Sequence, residues 1–151
     1  MITWKLFSDS VPELASFGEQ RINGRICYLA TVRLDGSPRV HPVSPFIADG
    51  HLFLHMEPAS PKKHDLIRDP RFALHCSVED NSGGTGEFLI RGRGKLISDA
   101  SLYSLAFERA KEIGLEPKER YILFELSLEE AMSTIYQEDG PLRKKWKGNS
   151  Q

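Results

Sequence analysis

Ser60-Pro61-Lys62-Lys63 brings a hydroxyl, a helix-starting proline and two cations into one short stretch. Serine followed by proline is a common way to begin a helix, with serine as the cap and proline in the first turn. A helix start offers unpaired N–H groups and a partial positive charge of about half a unit. Lys62 and Lys63 add full charges beside it, so the stretch can hold a phosphomonoester dianion. Arg39, in the upstream segment Asp35-Gly36-Ser37-Pro38-Arg39-Val40-His41-Pro42-Val43, is a cation of the kind that grips phosphate through a planar fork. Taken alone, Ser60-Pro61 is equally an ordinary helix cap with solvated lysines beside it. The fold decides, by bringing Arg39 onto this helix start or leaving it elsewhere.

The five histidines do not make a metal site. His51 and His55 are four apart, which in a strand puts them on one face about 13 Å from each other, too far to share an ion. His75 and Cys76 are neighbours and point to opposite faces of any strand. Any of the histidines could ligate haem, and spacing selects none of them. Cys27 and Cys76 both lie inside apolar runs and read as buried thiols.

The chain has 151 residues, 40% of them hydrophobic and 27% charged, which reads as one globular domain spanning 1–151. At this length roughly 70% of the unfolded surface can be buried without disulfide or metal staples. A formal net charge of -1 argues against a nucleic-acid surface. No apolar run approaches the ~20 residues of a membrane span, and the first residues have no signal-peptide core. A reduced, cytoplasmic setting is the expectation.

Elements must now position the candidate residues. Ser10 to Ile22 reads as a helix with Ser10 as its cap, closed by Asn23-Gly24. A first strand runs from Ile26 to Leu34, apolar on both faces and so expected to be central and covered on each side. Asp35-Gly36 predicts a two-residue hairpin turn into a second strand, Pro38 to Ile47. Pro42 and Pro45 donate no ladder hydrogen bond, which demotes this strand to an edge and leaves main-chain groups for a planar ligand. Asp49-Gly50 returns the chain into a third strand, His51 to Met56. The helix from Ser60 must be short, because Pro70 pushes Asp69 out of helical geometry. A fourth strand spans Arg71 to Val78, and a fifth spans Glu87 to Ile97 with bends or bulges at Gly92 and Gly94. A helix over Ala100 to Ile113, capped at Ser98-Asp99, precedes strands over Arg120 to Ser127 and Ala131 to Gln137. The residues from Glu138, with the cluster Arg143-Lys144-Lys145-Trp146-Lys147, read as a tail. Six or seven strands in hairpin order, with few helices, imply a mainly β, barrel-like antiparallel sheet with peripheral helices.

Leu29-Ala30-Thr31-Val32, the Asp35-to-Val43 hairpin, Ser60-to-Leu74 and Ile90-Arg91-Gly92-Arg93-Gly94 occur in order across about residues 22–136. In this the chain resembles the pyridoxamine 5′-phosphate oxidase-like superfamily of FMN-binding split barrels. The resemblance implies a homodimer with flavin at the subunit interface; some relatives hold the deazaflavin F420 instead, and a few hold haem. It implies that Arg39, Ser60, Lys62 and Lys63 hold the phosphate, while Val40, His41, Pro42, Val43 and Ser44 run along the ring. It places His55 and Met56 near the ribityl chain and ring, and Trp146 over the flavin of the partner subunit. Glu87 falls where true oxidases carry an amide that touches the ring. Those oxidases also end in a tryptophan-to-arginine motif. Here the sequence ends Trp146-Lys147-Gly148-Asn149-Ser150-Gln151, without the arginine, so vitamin B6 oxidation is not expected. The implied activity is a flavin-dependent oxidoreduction of a small conjugated or heteroaromatic substrate, with NAD(P)H as a possible donor. A non-catalytic flavin or haem carrier or sensor is the alternative.

Overall fold

The computed structural model describes residues 1–149. Two helices, α1 (Trp4–Ser10) and α2 (Pro12–Ile22), precede the sheet. The expected single helix missed α1. Thr3 caps it through Leu6 N–H, and Ser10 is not a cap but bonds back to the Leu6 carbonyl at 2.9 Å. Trp4 and Phe7 are buried from this helix.

Eight antiparallel strands follow: β1 (Cys27–Val32), β2 (Pro38–Val43), β3 (Phe46–Ala48), β4 (His51–Met56), β5 (Arg71–Cys76), β6 (Glu87–Leu96), β7 (Ile122–Gln137) and β8 (Gly140–Lys147). Helix α3 (Pro61–Arg68) separates β4 from β5, and α4 (Ala100–Glu112) separates β6 from β7. The strands lie in the order β2-β1-β5-β6-β7-β4-β3, with β8 paired to β7. The two ends of this path, β2 and β3, are consecutive in the chain and joined only by Ser44-Pro45. The sheet therefore curls back on itself without a ladder across the seam. This is the split barrel that the sequence implies.

One expected strand, Pro38 to Ile47, is thus two. Pro45 has no N–H to continue a ladder, and its carbonyl accepts from Gly24 N–H at 2.8 Å instead. Ile47 N–H then donates to the Asn23 side chain at 2.8 Å. The turn closing α2 occupies the seam. The opposite error concerns β7, expected as two strands. It is continuous, and Glu129 is the extra residue in a bulge where the register shifts opposite Arg91 and Gly92. Gly92 is required there, since a Cβ would lie 1.7 Å from the Ser127 carbonyl oxygen. The expected tail is β8, an edge strand held in register from Gln137↔Gly140 to Glu130↔Lys147. Its charges hide its strand character and are what an exposed edge needs.

The Asp35-Gly36 turn also differs from expectation. Arg33 and Ser37 close a longer loop, in which Arg33 to Gly36 form a turn and Gly36 takes the left-handed conformation at φ 87°. Asp49-Gly50 is the two-residue turn expected, both residues at positive φ.

The barrel interior is filled by Leu29, Leu52, Leu54, Leu74, Phe88, Ile90, Phe124 and Leu126, closed off by Trp4, Phe7 and Ile22. Both thiols, Cys27 and Cys76, are free and buried as expected. A second cluster of Phe46, Phe53 and Leu123 packs under Ala106 and Ala110 of α4. β1 sits between β2 and β5, as expected, but only one of its faces is covered. Tyr28, on the other, is 45% exposed. No helix among the described residues is long and apolar enough to cross a membrane.

Candidate functional site

The β1–β2 register sets the site. Thr31, Leu29 and Cys27 pair with Arg39, His41 and Val43. Alternation along the strand therefore turns Arg39, His41 and Val43 to the inner face, and Val40 and Pro42 outward. Leu29, Cys27 and Val43 are buried, so the inner face is apolar where β2 meets the seam and becomes cationic toward the hairpin. Helix α3 docks against this cationic part, with Leu66 anchored in the core.

Asp65, on the docked side of α3 and buried, is the hub. Its Oδ2 accepts from Thr31 Oγ1 and from Arg39 Nε, both at 2.7 Å, and its Oδ1 accepts from Arg68 Nη2 at 3.3 Å. Burial alone would raise this carboxyl; the bonds from Arg39, Thr31 and Arg68 outweigh it and hold the group below the usual range. Arg68 also donates to the Val32 carbonyl at 2.5 Å, tying the helix end to β1. Above this network lies an open groove of about 490 Å³, lined by Arg33, Arg39, Pro61, His64, Asp65 and Arg68 among others.

One turn earlier on α3, Ser60 is the N-cap residue but makes no side-chain cap bond. Its hydroxyl, in a residue only 8% exposed, accepts instead from Lys62 Nζ at 2.9 Å. Burial lowers the Lys62 ammonium pKa, partly offset by the charge of Glu57. His41 is held below its ordinary range by burial, then by the charges of Lys62 and Arg39. The imidazole therefore feels both cations. Arg39 thus reaches α3 at Asp65, about one turn beyond the Lys62–Ser60 pair, and Lys63 is half-buried.

The remaining sequence candidates go elsewhere in the fold. Ser44 is half-buried at the seam. Met56 points into the barrel core, 3% exposed. His55 takes the opposite face of β4, under α4, stacked on Phe46 with ring centroids 5.2 Å apart and walled by Tyr103, Phe107 and Tyr121. Its Nε2 is buried without a partner, and burial pushes its pKa down to about 4. Glu87 lies on the outward face, held by His75 Nε2 at 2.9 Å and by the Tyr136 hydroxyl. Trp146 packs edge-on against Phe7 of its own chain, with centroids 4.9 Å apart. Its indole is thereby taken up within the chain. Among the described residues no group of three or more His, Cys, Asp or Glu side chains could hold a metal ion.

Sequence reasoning missed Asp65, Thr31 and Arg33. Asp65 and Arg68 stand at helical i, i+3 spacing, a signal for a local pair, but nothing in the chain marks Asp65 as buried.

The family model for pyridoxamine 5′-phosphate oxidase matches residues 16–133, which takes in the whole of this site. The chain belongs to that family. No curated protein matches it. Among solved structures, a haem-binding protein from Mycobacterium smegmatis superposes with a TM-score of 0.65 at 14% identity; 85% of this chain is covered, and 54% of that one, so this chain spans about half its length. A conserved hypothetical protein from Mycobacterium tuberculosis gives 0.63 at 17%, covering 91% of this chain and 84% of the other. The haem storage protein HutZ from Vibrio cholerae gives 0.59 at 17%, covering 79% and 89%. At these identities the likeness is one of fold.

Proposed function

We propose that this chain binds FMN by its phosphate at the start of α3 and acts as a flavin-dependent oxidoreductase on a small conjugated or heteroaromatic substrate. The observation that carries the reading is that Lys62 is bonded to the uncapped Ser60 hydroxyl while Arg39 is bonded to Asp65 about one turn further along α3. These residues fit a phosphomonoester dianion. The helix start has no side-chain cap on its N–H groups, a hydroxyl sits beside it, and an arginine fork and two lysines would supply the charge. Bound flavin would supply the hydride or electron transfer. What this chain contributes is binding, orientation through His41 to Ser44, and exclusion of water at the seam.

The homodimer belongs to the same reading. The outward face of β2, β1, β5, β6 and β7 carries cross-strand rows in which Pro42, Tyr28, His75, Leu89 and Met132 stand side by side. Val40, 65% exposed, extends it. An apolar sheet face of this extent favours a second copy as its cover. Glu87 of that second copy would then approach the ring, already oriented by His75 and Tyr136.

Two alternatives keep the fold. F420 carries a longer acidic tail, and Arg33 and Arg68 in the groove beside the site supply cations for it. A haem carrier or sensor is favoured by the haem proteins among the structural neighbours. The absorbance spectrum of the purified protein, with mass spectrometry of what it releases on denaturation, separates the three. A flavin band with a mass of FMN is expected. A Soret band, or the mass of a deazaflavin, would replace the proposal by the corresponding alternative.

A further inference from the structure

We infer that Asp65 is a positioning residue for the anion site: it fixes the plane of the Arg39 guanidinium so that the free edge faces the bound phosphate. The inference rests on the phosphate reading above and names a residue which that reading does not require. Three observations carry it. Arg39 donates to Asp65 through Nε alone, and its Nη groups have no partner among the described residues. Its side chain is 30% exposed while that of Asp65 is 4% exposed. Asp65 in turn cannot rotate freely, because Thr31 holds the oxygen that Arg39 uses and Arg68 holds the other.

A carboxylate needed only to dock α3 would be satisfied by Thr31 and Arg68, which come from β1 and from α3 itself. Arg39 comes instead from β2, an edge strand paired only with β1, whose outward neighbours Val40 and Pro42 are exposed. Long side chains on such an edge normally spread over several rotamers and lose that freedom when they are frozen on binding. Here that freedom is lost within the protein before any ligand arrives. The arrangement also prevents a collapse that two guanidinium groups would otherwise suffer. Arg39 and Arg68 share one buried acid, and without its charge they repel each other across a weakly screened interior.

The test compares FMN with riboflavin, which lacks the phosphate, by flavin fluorescence quenching on the full-length protein. Wild type should bind FMN at least tenfold more tightly. Equal affinities would overturn the phosphate reading itself, and the inference with it. Asp65→Asn should weaken FMN about tenfold and leave riboflavin unchanged. Combined with Arg39→Ala, it should cost nothing beyond Arg39→Ala alone. Parallel losses for both flavins, or additive losses in the double variant, would make Asp65 a docking residue only and overturn the positioning role while leaving the phosphate reading intact. Should Asp65→Asn fail to fold, Thr31→Val removes one donor to the same carboxylate at nearly constant volume. It should weaken FMN about threefold with riboflavin unchanged; an unaltered FMN affinity would likewise overturn the role.

Discussion

Helices α3 and α4 begin in opposite ways. At α4 the Asp99 carboxylate accepts from Leu102 N–H at 2.9 Å, and basic residues gather in its last turn, where Arg109 and Lys111 suit the helix dipole. At α3 the cap side chain bonds to no backbone N–H, the Ser60 carbonyl alone accepting from Lys63 N–H at 3.0 Å, and Lys62 and Lys63 sit at the positive end of the dipole. By itself that placement costs a helix a few tenths of a kcal/mol. One helix is finished by its own sequence; the other is left wanting an anion. On the proposed function, the difference separates a helix kept for packing from one kept for binding, and it can be tested from both sides.

The largest expected effect is on the open end. Arg39→Ala with Lys62→Ala should weaken FMN at least tenfold, since charge-assisted hydrogen bonds contribute about 1.5–3 kcal/mol each, while far-ultraviolet circular dichroism and the melting transition stay that of a folded barrel. Unchanged FMN affinity would remove the distinction between the two helices.

Acid should act on the closed side first. Burial holds His55, packed under α4, at about 4 against an ordinary 6.5. Between those values the unfolded chain takes up a proton that the folded one refuses. Its contribution is therefore intact above about pH 6.5 and lost progressively as pH falls toward 4. Asp65, under α3, has its carboxyl held below 3.8, so its contribution is lost only at lower pH. Hydrogen exchange, corrected for intrinsic rates, should show α4 losing protection more steeply than α3 across pH 6.5 to 4, since His41 beside α3 is also held below 6.5 but is exposed. His55→Phe should flatten the α4 response. A uniform loss in both helices would count against this order.

Asp99→Ala sharpens the contrast in stability. Loss of a working cap costs about 1 kcal/mol, or about 2–4 °C in Tm for a chain of this size, and FMN affinity should not move. A shift in FMN affinity would mean that α4 reports on the site after all.

Much of this was open to reading in the sequence, for reasons that differ residue by residue. Ser60-Pro61 announces a helix start because proline at the first position is locally favoured whatever the tertiary context. Asp49-Gly50 announces a hairpin because its backbone needs positive φ. The seam was not legible. Pro45 signals a break in pairing, but that the next three residues cross to the far edge of the sheet depends on Asn23 and Gly24, distant in sequence, taking up the freed backbone groups. Leu128 to Glu130 read as a break between two strands because a bulge and a strand end disturb alternation alike. β8 was hidden by its own charges. His55 shares a strand with the site's neighbours, but pleat alternation aims it at α4, and only the register decides which face is which. Asp65 was least legible of all: burial of a short-helix acid is set by Thr31 and Arg39, two residues from two other elements.

Ser60→Ala carries the smallest effect and the clearest meaning. At a helix whose serine serves as a cap, this substitution costs stability, typically about 1 kcal/mol. At α3 the hydroxyl bonds only Lys62 Nζ, an ammonium with other ways to be solvated, so thermal stability should change by less than about 0.5 kcal/mol. The phosphate, by contrast, would lose a hydroxyl donor worth about 1 kcal/mol net, or about fivefold in affinity. Stability and binding are therefore expected to part company at Ser60, in the reverse sense to Asp99. If Ser60→Ala instead melts early and binds FMN as wild type does, the serine is a cap in solution, and α3 begins as α4 does.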